Sequence, residues 1–193
     1  ATAGFQEKQT LVKENKKLQK KVDELTAENS RLTQGLTELE RLQELYQLDQ
    51  SYSEYDKVAA NVISKDAGNW FSNFTIDKGT EDGIQKDCNV IAGSGLVGIV
   101  TEVGKNWATV RSIIDDTSNV SAMTMSTSDR CIVAGDLRLI DEGKLQFIHL
   151  KDEDNKIQEG EKIVTSDVSD KFLKGILIGY VSDIKEDPNN LTK

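Results

Sequence analysis

A few residues in this 193-residue chain have types and spacings that could carry chemistry. Gly93-Ser94-Gly95-Leu96-Val97-Gly98 has the spacing of a dinucleotide-binding glycine fingerprint, and Val90-Ile91 ahead of it reads as a strand. That chemistry needs a helix to start at the glycines, because its free amides and dipole hold the pyrophosphate. Residues 99–103, Ile-Val-Thr-Glu-Val, are rich in β-branched types and continue as a strand instead. The glycines are therefore expected to serve a tight hairpin and close strand packing. His149, the single histidine, shares a strand face with Leu145 and Phe147 and is the one candidate base for a Ser/His/Asp hydrolase. No serine stands in a nucleophile-elbow or Gly-Asp-Ser-Gly context, so a packed or rim histidine is the expected reading. Asp152, Glu153 and Asp154 cluster like cation ligands, but Lys156 and Ile163 stand at the fifth and twelfth positions of what would be a calcium loop. The cluster reads as a solvated hairpin turn. Cys88 and Cys131, in apolar strand-like runs, are expected to be free buried thiols rather than a disulfide or a zinc site. No metal and no cofactor is expected.

The element that must position everything else is a leucine ladder at Leu11, Leu18, Leu25, Leu32 and Leu39, a strict seven-residue period. With these at heptad position d, the a positions are Lys8, Asn15, Val22, Asn29 and Leu36. An Asn facing its twin across a parallel dimer is hydrogen-bonded, whereas a shifted or antiparallel partner buries its amide against leucine at about 1–3 kcal/mol. The expectation is a parallel homodimer through Leu11, Asn15, Leu18, Val22, Leu25, Asn29, Leu32, Leu36 and Leu39. The alternative is a single amphipathic helix lying on its own domain. Residues Glu14, Lys21 and Glu28 at g face Gln19, Thr26 and Thr33 at e, so no interhelical salt bridge supports the pairing. Gly35 costs roughly 1 kcal/mol relative to Ala. Beyond Leu39 the apolar positions Leu42, Leu45, Tyr46, Leu48, Tyr52 and Tyr55 break the heptad, and there the helix is expected to pack on the β region C-terminal to it.

The formal charge of −9 is carried mostly by the β region, which argues against nucleic acid as a partner. Lys8, Lys13, Lys16, Lys17, Lys20 and Lys21 form a local basic cluster, either a solvated helix face or a contact for anionic headgroups. No run of 18 apolar residues occurs, and the helix begins almost at once, as in a segment cut from a longer chain. From residue 58 the period becomes that of β structure, with ten short runs at 58–64, 70–76, 88–91, 96–103, 107–114, 119–126, 130–134, 144–150, 161–165 and 175–184. Short connections between them predict antiparallel barrels or sandwiches. Ile84–Ile91 with Gly95–Val100 is weakly repeated by Ile157–Val164 with Gly175–Val181, which suggests two copies of one small β unit. Both faces of 95–101 are apolar or small, so one must be covered by the sister unit, a dimer mate or a partner.

Asn69-Trp70, then Phe74-Thr75-Ile76-Asp77-Lys78-Gly79, Asp82-Gly83-Ile84, Gly95-Leu96-Val97-Gly98-Ile99-Val100, Ile163-Val164-Thr165-Ser166 and Lys174-Gly175-Ile176-Leu177-Ile178-Gly179-Tyr180-Val181 succeed one another behind the coil. This ordered set resembles the extracytoplasmic part of the bacterial rod shape-determining family MreC. Asp167 stands where that family usually has Gly after the Thr-Ser pair, and Leu173 where Pro usually comes after the Phe. The resemblance marks Gly79, Gly83, Gly95, Gly98, Thr165, Ser166, Gly175 and Gly179 as structural positions. It implies a non-enzymatic, single-pass membrane-anchored scaffold, with this region on the extracytoplasmic side and the transmembrane helix lying upstream. Implied partners are MreB, MreD and the penicillin-binding proteins of cell-wall elongation.

The expected fold is mainly β with an N-terminal α-helix: a coiled-coil helix at 1–57 and two small antiparallel β-barrels at 58–115 and 116–193. The C-terminal strand is a candidate to complete the first barrel. The competing functions are a double-barrel hydrolase using His149 and a saccharide-binding β module with Trp70 or Trp107 in its groove.

Overall fold

The computed structural model describes residues 2–65, 72–148, 150 and 157–185, with side chains from Lys8 onward. The chain divides into a helical unit, 1–47, and a β unit, 48–193. One helix, α1 (Thr2–Ser51), runs through the first and ends in the second. At 1.5 Å per residue it is about 75 Å long. Its threonines bond back onto the preceding turn, Thr26 to the Val22 carbonyl at 2.8 Å and Thr33 to that of Asn29 at 2.9 Å. The exposed pair of Arg41 with Glu38, bidentate at 2.6 and 2.9 Å, adds little at full exposure.

Among the described residues ten strands come after it, one overlapping each of the ten apolar runs: β1 (Val62–Lys65), β2 (Asn73–Ile76), β3 (Asn89–Ala92), β4 (Gly95–Val103), β5 (Ala108–Ser112), β6 (Asn119–Thr124), β7 (Arg130–Ala134), β8 (Gln146–Ile148), β9 (Lys162–Thr165) and β10 (Leu177–Tyr180). They form two five-stranded antiparallel sheets in the orders β1-β2-β5-β4-β3 and β10-β9-β6-β7-β8. The fold is thus an N-terminal helix followed by two antiparallel sheets. The C-terminal strand β10 pairs with β9 at the edge of the second sheet, not with a strand of the first. Both copies of the weak repeat form antiparallel pairs, β3 with β4 and β9 with β10. They are placed differently, since β3 and β10 are edge strands, one in each sheet.

A small core inside the first sheet gathers Ile76, Val100, Ala108 and Val110. The larger core joins Leu96 and Ile113 to Val120, Ala122, Cys131, Val133, Leu150, Ile163 and Ile176, with Ile99 packed against it. The second apolar side of β4 is therefore covered by the sister sheet. Leu48 and Tyr52, at the end of α1, belong to the same core. The compact β unit accordingly takes in the end of the helix from Leu48 on. The widened apolar face is buried only at its end: Leu42, Leu45 and Tyr46 are exposed.

Candidate functional site

The coil positions stand out first. Leu11, Leu18, Val22, Leu25, Leu32, Leu36 and Leu39 are all between 51% and 62% exposed, although they lie on one 3.5-period stripe. Asn15 and Asn29 are exposed in the same stripe. Burying a leucine side chain is worth about 1.5–3 kcal/mol, so seven unburied apolar side chains in one row form a surface with a large unsatisfied driving force. The lysines at 8, 13, 16, 17, 20 and 21 are likewise exposed, and Lys21 lies 3.7 Å from Glu24.

At the other end of α1, two tyrosines hold the helix to both sheets. The Tyr52 hydroxyl donates to the Ser94 carbonyl at 3.0 Å, in the β3–β4 turn, and accepts from the Leu177 amide at 3.1 Å, in β10. Tyr55 donates to the Lys174 carbonyl at 2.7 Å. Lys57 closes the helix end, its ammonium 3.2 Å from the Asp49 carboxylate and the Asp49 carbonyl.

The motif residues shape the places where the chain approaches itself. Gly95 lies so close to β10 that a Cβ there would sit 2.3 Å from the Leu177 carbonyl oxygen. A backbone atom cannot yield as a flexible side chain can, so this contact between the sheets requires glycine. At Gly98 a Cβ would meet the Arg111 carbonyl at 2.5 Å, and at Gly79 the Gly104 carbonyl at 2.4 Å. The latter lets the 3₁₀ turn Thr80–Asp82 dock on the β4–β5 hairpin, with the Thr80 amide donating to Gly104 at 2.9 Å and that of Glu81 to Lys105 at 3.0 Å. Gly83 and Gly175 occupy turns with φ of +84° and +83°. Gly179 has open space around it. Thr165, fully buried, donates through its hydroxyl to the Leu173 carbonyl and accepts from the Ile176 amide at 2.8 Å, fixing both ends of the 166–175 loop. Ser166 is buried with its hydroxyl unpaired among the described residues.

Among the described residues the other candidates carry no assembled chemistry. The glycines at 93–95 lead from β3 into β4 through a two-residue turn, with no helix after them. Cys88 and Cys131 are both free, Cys88 half-buried and Cys131 buried, and burial pushes the Cys131 thiol up to about 11, far from a reactive thiolate. Trp107 lies over Gly104 at the β4–β5 turn. His149, Trp70 and the acidic cluster at 152–154 lie outside the described residues. Among the described residues no group of His, Cys, Asp and Glu could hold a metal ion, and no helix is long and apolar enough to cross a membrane.

Asp77 joins the start of β1 to the end of β2. Its carboxylate accepts from the Asn61 amide at 2.7 Å and the Asn61 side chain at 2.9 Å, which holds it below the usual carboxylate range. In the segment between the sheets, burial pushes the Asp115 carboxyl up, but hydrogen bonds from the Thr117 amide and hydroxyl, with the Arg111 charge, outweigh burial and leave it below its ordinary value. A carboxylate with a lowered folded-state pKa stabilises above its unfolded value, about 4, and loses that contribution as pH falls through the folded value. The Asp115→Asn variant is therefore expected to lose less of its melting temperature between about pH 5 and pH 2 than the parent does. Thermal melts across that range check this.

The comparisons with known proteins decide the relationship. The family model "Rod shape-determining protein MreC, barrel core" matches residues 62–193. The chain belongs to the MreC family. Cell shape-determining protein MreC of Listeria monocytogenes is 32% identical over 186 residues, covering 93% of this chain and 61% of that protein. MreC of Bacillus subtilis is 28% identical over 189 residues, covering 94% and 65%. The chain thus spans less than two thirds of either relative's length. The solved Listeria MreC structure superposes with a TM-score of 0.64 at 32% identity, covering 93% of this chain and 85% of that one. A Helicobacter pylori MreC solved in complex with the penicillin-binding protein PBP2 superposes with a TM-score of 0.54 over 68% of this chain and 80% of that one. At 14% identity that likeness shows the MreC fold alone.

Proposed function

We propose that this chain is the part of a non-enzymatic cell-shape scaffold that pairs through its coil and presents its β unit to the enzymes of cell-wall elongation. The observation that carries this reading is the exposed heptad stripe, Leu11 to Leu39, on a helix that ends anchored in the β core by Tyr52. A second parallel copy covers that stripe, pairs Asn15 with Asn15 and Asn29 with Asn29, and places both N-termini at one end. Two membrane anchors upstream would then enter one bilayer side by side, with the β units held outside the cytoplasmic membrane. The PBP2 complex of the Helicobacter family member supports a penicillin-binding protein as partner, and MreB and MreD are the further partners that membership suggests. The motif residues act in this reading as structural positions, and the two sheets as the barrel units at 58–115 and 116–193.

Leu11 tests the orientation because it lies near one end of the stripe. In a parallel, in-register dimer two Leu11→Cys residues face each other within the roughly 4.4–6.8 Å Cα separation that a disulfide spans. With Cys88 and Cys131 replaced by Ser, mild oxidation is expected to convert most of the chain to a linked dimer on a non-reducing gel. An antiparallel pair brings the two ends of the stripe together and leaves the variant unlinked.

A further inference from the structure

A cleft of about 410 Å³ opens between the two sheets, within the size range of ligand sites. Its lining brings together three cations from distant parts of the chain: Lys86 before β3, Arg111 in β5 and Lys171 in the loop before β10. Among the described residues Asp87 is the one carboxylate in the lining. This local excess of positive charge stands in a chain of net charge −9. Among the described residues none of the three cations has a carboxylate within ion-pair distance, and Asp115 acts on Arg111 only through space.

The cleft is also built. Asn89 of β3 fixes the loop that supplies Lys171, its side-chain amide donating to the Lys171 carbonyl at 2.7 Å while its oxygen accepts from the Leu173 amide at 2.8 Å. Phe172, buried, and Ile99 of β4 add apolar lining. Arg111 is half-buried on a strand hydrogen-bonded on both sides, to Asn73 and Ile99 in register. A planar guanidinium held on a rigid strand, in a cleft that two lysines and two apolar side chains also line, suits a carboxylate on an aliphatic stem.

We propose that this cleft receives an acidic side chain, flanked by apolar residues, from a partner polypeptide. The proposal deepens the scaffold reading and rests on it, since it names what the β unit would recognise in a docked protein. Arg111 makes the fork to the carboxylate, Lys86 and Lys171 add charge at the rim, and Ile99 and Phe172 take the flanking apolar side chain.

The test titrates the nitrogen-15-labelled full chain by NMR with three probes: the blocked tripeptide Leu-Glu-Leu, its isostere Leu-Gln-Leu, and inorganic phosphate. The acidic peptide is expected to shift the amides around Arg111 and Lys171 saturably and to bind about tenfold or more tighter than the glutamine peptide. Arg111→Gln and, separately, the exposed Lys171→Gln are each expected to weaken it by about fivefold or more, with the rest of the spectrum unchanged. Equal binding of the two peptides, no saturable shift, or no loss in either variant would overturn the proposal. Phosphate binding as tightly at the same amides also overturns it, in favour of a free-anion or headgroup site. Light scattering on the same samples separates the two readings: failed peptide binding by an intact dimer sinks this site alone, and peptide binding by a monomer sinks the paired scaffold alone.

Discussion

Replacing Tyr52 with Ala is expected to lower the stability of the β unit by about 3–5 kcal/mol, the range for removing a large buried aromatic. Tyr52 is 8% exposed and packs in the core shared by both sheets, so the truncation leaves a cavity where helix, β4 and β10 meet. It also strips two backbone groups of their partner, the Ser94 carbonyl and the Leu177 amide. For a unit of this size that stability loss corresponds to a drop in melting temperature of roughly 6–20 °C. Tyr52→Phe keeps the ring and removes only the hydroxyl, so its cost is expected near 1–3 kcal/mol. Calorimetric melts of both variants check the pair. A Tyr52→Ala chain that melts within a degree or two of the parent would contradict the anchoring of the helix in the β core.

The sequence made the elements legible because their periods differ so sharply. A seven-residue leucine repeat over four heptads admits only a helix, and the ten β-branched runs each overlap one strand of the structure. Turn glycines such as Gly83 and Gly175 were legible for the same local reason, since their positive φ arises from chain chemistry next to them. What the sequence left open is what depends on contacts between distant residues. Simple alternation puts Leu96 and Ile99 on opposite sides of β4, but the irregular register opposite Val90 and Ile91 lets both pack on the core shared with the sister sheet, and nothing local says so. The C-terminal strand could be offered to either sheet on pattern alone, and the structure pairs it with β9.

Tyr52 shows the limit most clearly. In the sequence it is one more apolar residue after the heptad breaks, while its two hydrogen-bond partners lie 42 and 125 residues away. Arg111 was equally silent, a single charge in Ala-Thr-Val-Arg-Ser, and became a candidate only when Lys86 and Lys171 were found beside it. Thr165 was marked by family resemblance, but its work of fixing both ends of the 166–175 loop needed the Leu173 and Ile176 partners to be seen.

The second large effect concerns the coil. Leu25 stands at the middle d position, 53% exposed in the single chain. In a parallel dimer Leu25→Asp places two carboxylates against each other in an apolar seam, which combines lost burial with the cost of burying unpaired charge. The seam has no g-to-e salt bridges and is mixed at a, so its net stability is small and one such substitution is expected to abolish pairing at micromolar concentration. The β unit lies in a separate part of the chain and should keep its melting temperature.

The most direct measurement is the mass of the full chain in solution by light scattering across a concentration series, run beside Leu25→Asp. The scaffold account predicts a mass approaching twice 21.4 kDa for the parent and 21.4 kDa for the variant. A parent that remains at 21.4 kDa at the highest concentration, or a variant that dimerises as well as the parent, would contradict it.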